Sequence, residues 1–306
     1  MKTFLSTVVL ASLTTVAGAQ TTDVPRPRPS TAPVPSADRS WHIDFSLMNA
    51  FDGNINHDPE PVRSYGLAPE ASFRYEHRSF EFGYDVAFNR YTNTDEWDRI
   101  SQGVYAIAIQ RAGPLRFETG GNVTLKGSSE DRELANEYAF SERVVLKLTS
   151  EMRLIATGAL RYKEYPLDPE TSGMSPYVGA KFDRRFGDSR LTVGYKFQTR
   201  HSEAVRDRYR RHVYSIAYSM PIDVQDDELA FELEYRPQRY ERLIRVGDAR
   251  VWREDRRLVC AASYVRPISA RISAIWVAAL EKRDSNDPDK RYFSPNVAMT
   301  MRYRWR

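Results

Sequence analysis

Cysteine is all but missing from this chain. Its one copy, Cys260, can form no internal disulfide, so stability has to come from packing or sheet closure. Long hydrophobic runs are missing as well. The one apolar stretch of any length, Phe4 to Val16, is shorter than the roughly 20 residues that carry a helix across a bilayer, and nothing after it comes close. A helical membrane protein is excluded. Histidine is sparse, with His42, His57, His77, His201 and His212 scattered along the chain. His201 and Ser202 are adjacent, and adjacent residues on a strand point to opposite faces, so they make no nucleophile and base. No enzyme is expected. Asp52, Asn54, Asn56 and Asp58 alternate like calcium ligands, but His57 stands where the loop glycine belongs and Arg63 where the bidentate glutamate belongs. That stretch and the similar one from Asp284 to Asp289 read as polar turns; no metal or cofactor is expected. A large charge excess is lacking too. Lys and Arg number 45 against 41 Asp and Glu, spread along the whole chain, which argues against nucleic acid as a partner.

What is present begins with an export signal. Met1, Lys2 and Thr3 precede the apolar run, and Ala17, Gly18 and Ala19 precede Gln20, so residues 1–19 read as a cleaved signal peptide. Residues 20–40 carry Pro25, Pro27, Pro29, Pro33 and Pro35 with almost nothing to bury, and read as a disordered periplasmic segment. From residue 41 to 306 the pattern is period-two alternation, in a chain whose 18 tyrosines outnumber its 15 glycines.

The apolar sets of that alternation include Trp41, Ile43, Phe45, Leu47; Ala71, Phe73, Tyr75; Phe80, Phe82, Tyr84, Val86, Phe88; Tyr105, Ile107, Ile109; and, at the end, Val297, Met299, Met301, Tyr303, Trp305. About fourteen such strands of tilted, membrane-crossing length are predicted. Short connections near Arg78, 112–114, 149–151, 186–188, 221–227 and 266–269 alternate with long polar ones at 50–68, 92–102, 127–136, 164–174, 201–209, 238–255 and 282–294. Short and long loops in strict alternation are the topology of a closed, antiparallel, all-β barrel in the bacterial outer membrane. A soluble sandwich has no reason to keep it.

The opposite faces carry Glu70, Arg74, Glu76, Glu81, Asp85, Arg116, Glu118, Arg143, Lys147, Arg153, Arg161, Lys163, Lys181, Lys196, Glu232, Glu234, Arg236, Arg302 and Arg304. So many charges cannot be buried dry, so these residues are expected to line a hydrated pore. Ser215, Ala217, Ala261, Ser273, Ile275, Val277 and Ala279 form an apolar inner wall that needs either packing or a purpose. Glu142 falls on the lipid side of its strand, and needs a bulge to re-aim it or an interfacial depth. The cluster Arg206, Arg208, Arg210 and Arg211 lies where lipopolysaccharide phosphates would be.

The segments WHIDFSLMNAFDGNINHDPEP, EASFRYEHRSFEFGYDVAFNRY and EKRDSNDPDKRYFSPNVAMTMRYRW, at the start and end of the barrel region, resemble the monomeric fourteen-stranded outer-membrane porins and the wider group of proteobacterial β-barrel porins. The resemblance implies passive diffusion of small hydrophilic solutes through a monomer, and for some members a link to exopolysaccharide. It also implies a terminal aromatic read by the barrel-assembly machinery; here Trp305 is followed by Arg306. The leading expectation is a porin biased toward anions or saccharides. Its rivals are an exit channel for a secreted polysaccharide and a non-conducting structural or adhesion barrel.

Overall fold

The computed structural model describes residues 39–55, 57, 59–93, 98–128, 135–222 and 227–305. The expected signal peptide, residues 20–38 of the proline-rich segment, Asn56 and Asp58 lie outside the described residues. The strands are β1 (Arg39–Asp52), β2 (Ser64–His77), β3 (Phe80–Tyr91), β4 (Arg99–Ala112), β5 (Leu115–Ser128), β6 (Asn136–Lys147), β7 (Met152–Glu164), β8 (Gly173–Met174), β9 (Tyr177–Phe186), β10 (Ser189–Ser202), β11 (Tyr209–Pro221), β12 (Glu228–Val246), β13 (Ala249–Pro267), β14 (Ile272–Ser285) and β15 (Tyr292–Trp305). Apart from the two-residue β8, which bridges β7 and β10 at one rim, each strand pairs antiparallel with its neighbours. Pairing of β1 with β15, Ile43 opposite Trp305, closes the ring at fourteen strands.

Closure fits the surface. Phe45, Phe88, Phe140, Leu160 and Phe231 are 47–55% exposed on the outside of the barrel, around most of its circumference. In water so continuous an apolar surface would aggregate; in hydrocarbon it is at home, provided that no backbone N–H is left unpaired, and only a closed ring provides that. Trp41 and Trp305 meet edge to face at 5.3 Å near the short-turn end, where membrane barrels carry interfacial aromatics. This is a transmembrane barrel of the outer-membrane type.

Two expectations are corrected. Residues 238–255 are not a loop. β12 and β13 run on as 19-residue strands to a two-residue turn at Gly247 and Asp248, where Gly247 adopts φ +59, a value that a side chain disfavours. β11 pairs with β12 only as far as Tyr240, and β14 with β13 only from Asp255. The remainder is a two-stranded ribbon with a register irregularity between Arg239 and Leu243, tied at its base where the Glu241 N–H donates to the Arg208 carbonyl and Asn286 Nδ2 to the Trp252 carbonyl. Its dense Arg and Glu disguise strand formers at Leu243, Ile244, Val246, Val251 and Trp252.

Strand β4 is turned the other way from expectation. Tyr105, Ile107 and Ile109 face inward, and Val104, Ala106 and Ala108 face lipid. The reason lies on the neighbouring strands: Gly83 stands directly opposite Tyr105 and Gly120 directly opposite Ile107, and the room left by the missing side chains takes the ring and the isoleucine. A β-carbon on Gly83 would overlap the Tyr105 ring, whereas one on Gly103 would make ordinary contact with Thr124. Gly83→Val should therefore displace Tyr105 and cost about 1–3 kcal/mol of stability. Gly103→Ala should be nearly neutral. The urea midpoint of the folded band in unheated gels would test both, and equal midpoints would refute the inward placement of Tyr105.

Candidate functional site

The interior is built from the polar half of each alternation. On β2 and β3, Arg74 Nε donates to the Tyr105 hydroxyl at 3.0 Å and lies 3.7 Å from Glu81, to which Tyr105 in turn donates at 2.9 Å. Glu76 is 4.0 Å from Arg74, and Glu70 and Asp85 are half-buried on the same inner face. On β5 and β6, Glu118 is almost completely buried between Arg116 at 2.9 Å and Arg143 at 3.1 Å. Lys147 is exposed at the short-turn end of β6. On β7 and β9, Arg153 faces Asp183 at 3.1 Å, and Arg161 and Lys163 reach Glu137 at 3.6 and 4.0 Å. Lys196 stands over the Tyr177 ring, 5.4 Å from its centroid. Glu234 and Arg236 pair along β12, where Glu232 is half-buried. Arg304 donates to Asp44 at 2.6 Å, and Arg302 is half-buried beside it.

The ion pairs named above that cross between strands join hydrogen-bonded neighbours: β2 with β3, β5 with β6, β6 with β7, β7 with β9, and β1 with β15. They stiffen the wall along its circumference. Lys181, on the inner face of β9, is solvent-exposed although the ring encloses it. Acidic groups of β2 and β3 stand half-way round the ring from β10 and β11, which carry Lys196, Arg200 and Arg211 on their inner faces. The two walls thus differ in sign.

Sequence reasoning passed over several members of this network. Glu137, Asp183, Asp255, Glu281, Arg257 and Arg283 all lie on inner faces; Arg257 pairs with Glu281, and Arg283 with Asp255. Their position was legible from outward neighbours such as Tyr138 and Phe182, one residue away in the alternation.

For Ala261, Ile275, Val277 and Ala279 the apolar inner wall has an answer in packing, whereas Ser215, Ala217 and Ser273 stay half-buried outside it. Met48, Ala261, Val265, Ile275, Val277, Ala279 and Ala298 form a buried cluster across β1, β13, β14 and β15, with Val265 and Ile275 at 0% exposure. This side of the interior is closely packed. At the long-loop end above it, Asn54 and Ile55 tuck inward, 1% and 2% exposed, and the His57 ring meets Tyr292 at 4.9 Å. Asp52 accepts from the Asn54 backbone N–H and from the Ser294 hydroxyl, so its carboxylate belongs to this packing. Glu142 keeps its outward place with no bulge, directly opposite Thr119, whose hydroxyl donates to it at 2.9 Å. His201 and Ser202 do point to opposite sides, the ring contacting Thr199 and the Ser202 hydroxyl donating to the Ala204 carbonyl. Among the described residues no cluster of His, Cys, Asp and Glu is arranged to hold a metal.

No protein-family model matches the chain, and no curated protein matches its sequence. Among solved structures, the anion-selective porin from Comamonas acidovorans is similar with a TM-score of 0.54 over 87% of this chain and 100% of that one, at 10% identity. OmpT, an outer membrane protein of Vibrio cholerae, gives 0.54 in its in-vitro folded trimer form over 87% and 99% of the two chains, also at 10% identity. The same protein expressed in the outer membrane gives 0.52 over 89% and 99%, again at 10% identity. At that identity what is shared is architecture, and the architecture is that of outer-membrane barrels.

Proposed function

We propose that the chain is an outer-membrane porin, a passive channel for small hydrophilic solutes with a preference for anions. It would be exported by residues 1–19, leave residues 20–40 in the periplasm, and sit among outer-membrane lipids. The carrying observation is the direction of the ion pairs: they run along the wall between neighbouring strands, and leave Lys181 in contact with water inside the ring. A path bounded by Arg143, Lys147, Arg153, Lys181 and Lys196 on one side, with the buried Arg161 and Lys163 behind it, favours negative solutes, because charges in a narrow, low-dielectric-walled lumen act strongly on passing ions. Glu70, Glu76, Glu81 and Asp85 on the facing wall would orient dipolar solutes in transit.

A second reading, a non-conducting structural barrel, draws on the closely packed wall around Ile275 and on the completely buried Gln198 and Ser175 at the long-loop end. Purified protein in planar bilayers separates the two. Stable conductance steps with an anion-side reversal potential in a KCl gradient are expected. Silence from protein whose gel mobility still shifts on heating would establish the structural barrel instead.

A further inference from the structure

The outer faces of β10, β11 and β12 carry a row of tyrosines. Tyr195 stands opposite Tyr214, and Tyr214 opposite Tyr235, with ring centroids 5.3 and 6.4 Å apart. Rows of this kind mark the boundary between hydrocarbon and head groups. Just beyond it, toward the long loops, the outward positions turn basic: Arg210 on β11, Arg239 on β12 and Arg256 on β13, the last opposite Pro237. With the tyrosine row at the interface, these guanidinium groups fall at the depth of lipid phosphates.

Among the described residues the arrangement lacks balance. Arg210 lies directly opposite Arg239 in the ladder, and like charges so placed repel. The acid beside Arg239 is Glu254, 3.9 Å away, with both side chains more than half exposed. Asp284, opposite Arg256, pairs with Lys282 at 3.3 Å. Two carboxylates, Glu254 and Asp284, stand among four cations, Arg210, Arg239, Arg256 and Lys282. The other arginines of the expected cluster are engaged elsewhere: Arg206 with Asp168, Arg208 with the Ser202 carbonyl, and Arg211 inside the barrel with Gln238. Beside the three, Trp252 places its ring 5.7 Å from the Arg239 guanidinium, an apolar plate next to a charged one.

We infer that Arg210, Arg239 and Arg256 bind the phosphate-bearing head group of an outer-leaflet lipid, with Trp252 covering its apolar shoulder. This rests on the membrane placement of the barrel but not on its conductance. Guanidinium forks match phosphate oxygens in pairs, and a phosphate monoester supplies nearly two negative charges to a ladder that needs them.

The test uses the full mature chain in phosphatidylcholine nanodiscs doped with lipid A carrying both phosphates, or with the same lipid stripped of them, and reads bound lipid by native mass spectrometry. Phosphorylated lipid A should bind and the stripped form should not. R210Q/R239Q/R256Q should bind about a hundredfold more weakly, from roughly a fivefold contribution per cation near a membrane surface. The charge-matched control R90Q/R242Q/K290Q should bind normally. R256Q alone, expected to lose about fivefold, keeps the test decisive if the triple variant does not fold. Equal binding of the stripped lipid, or undiminished binding by variants that fold, would overturn the assignment. So would inorganic phosphate binding as tightly as the lipid, which would make the ligand a free anion. Conductance recorded on the same variants keeps a failure of the channel reading separate from a failure of this one.

Discussion

Replacing Lys181 and Lys196 by glutamine should move the reversal potential of the channel toward cations by about 10 mV or more in a tenfold KCl gradient, where complete selectivity corresponds to about 59 mV. These two are chosen because Lys181 is exposed to the interior and Lys196 half-exposed. Arg161, although on the same wall, is only 5% exposed, engaged with Glu137 and standing over the Tyr177 ring. The shift should fade at 1 M salt, where the screening length is about 3 Å. Folding should be unaffected, since lumen substitutions tune selectivity without touching the lipid face. An unchanged reversal potential at low salt, from variants that still conduct, would remove these lysines from the solute path.

Glu281→Ala should be among the most destabilising single changes in the barrel, at about 3–5 kcal/mol. Its carboxylate is 0% exposed and accepts from both Arg257 and Tyr292. Removing it leaves the Arg257 guanidinium, 13% exposed, without the carboxylate it faces. The double variant Glu281→Ala, Arg257→Met should recover much of the loss, because replacing both partners leaves no stranded charge. Urea titration of folded and unfolded gel bands would measure all three proteins. A single variant within about 1 kcal/mol of the parent would mean that water reaches Arg257 and that the long-loop end is wetter than its packing implies.

The architecture was readable from the sequence because hydrocarbon and water sort a strand's two faces sharply. Trp41, Ile43, Phe45 and Leu47 against His42, Asp44 and Ser46 leave no doubt about which side faces lipid, and the alternating loop lengths supply the topology. Legibility failed where that contrast did. β4 is apolar on both faces, with Val104, Ala106 and Ala108 on one and Tyr105, Ile107 and Ile109 on the other, and its orientation is decided by Gly83 and Gly120 on other strands. The β12–β13 ribbon failed for a different reason: outside the membrane Leu243 and Trp252 on one face and Ile244 and Val251 on the other are interspersed with Arg and Glu, so strand and loop look alike along the chain. The ion-pair network needed the register. Arg153 and Asp183 are 30 residues apart in sequence and directly opposite in the sheet, a relation that no local pattern carries.

The closing seam between β1 and β15 sets a rule for how such a chain can be made. Asp44 and Arg304, which clasp across it, are separated by 260 residues, so the contact that completes the ring is also the one with the greatest loop-closure cost, and contacts of that span form slowly. Until β15 has docked, the outward edge of β1 exposes a row of bare amides and carbonyls, and that edge will accept any extended strand in reach. Translation order gives no protection, because the first strand to emerge waits for the last. Newly exported chains therefore spend their most hazardous interval as an incomplete sheet, and a chain truncated anywhere before Tyr292 would be left with a permanent sticky edge.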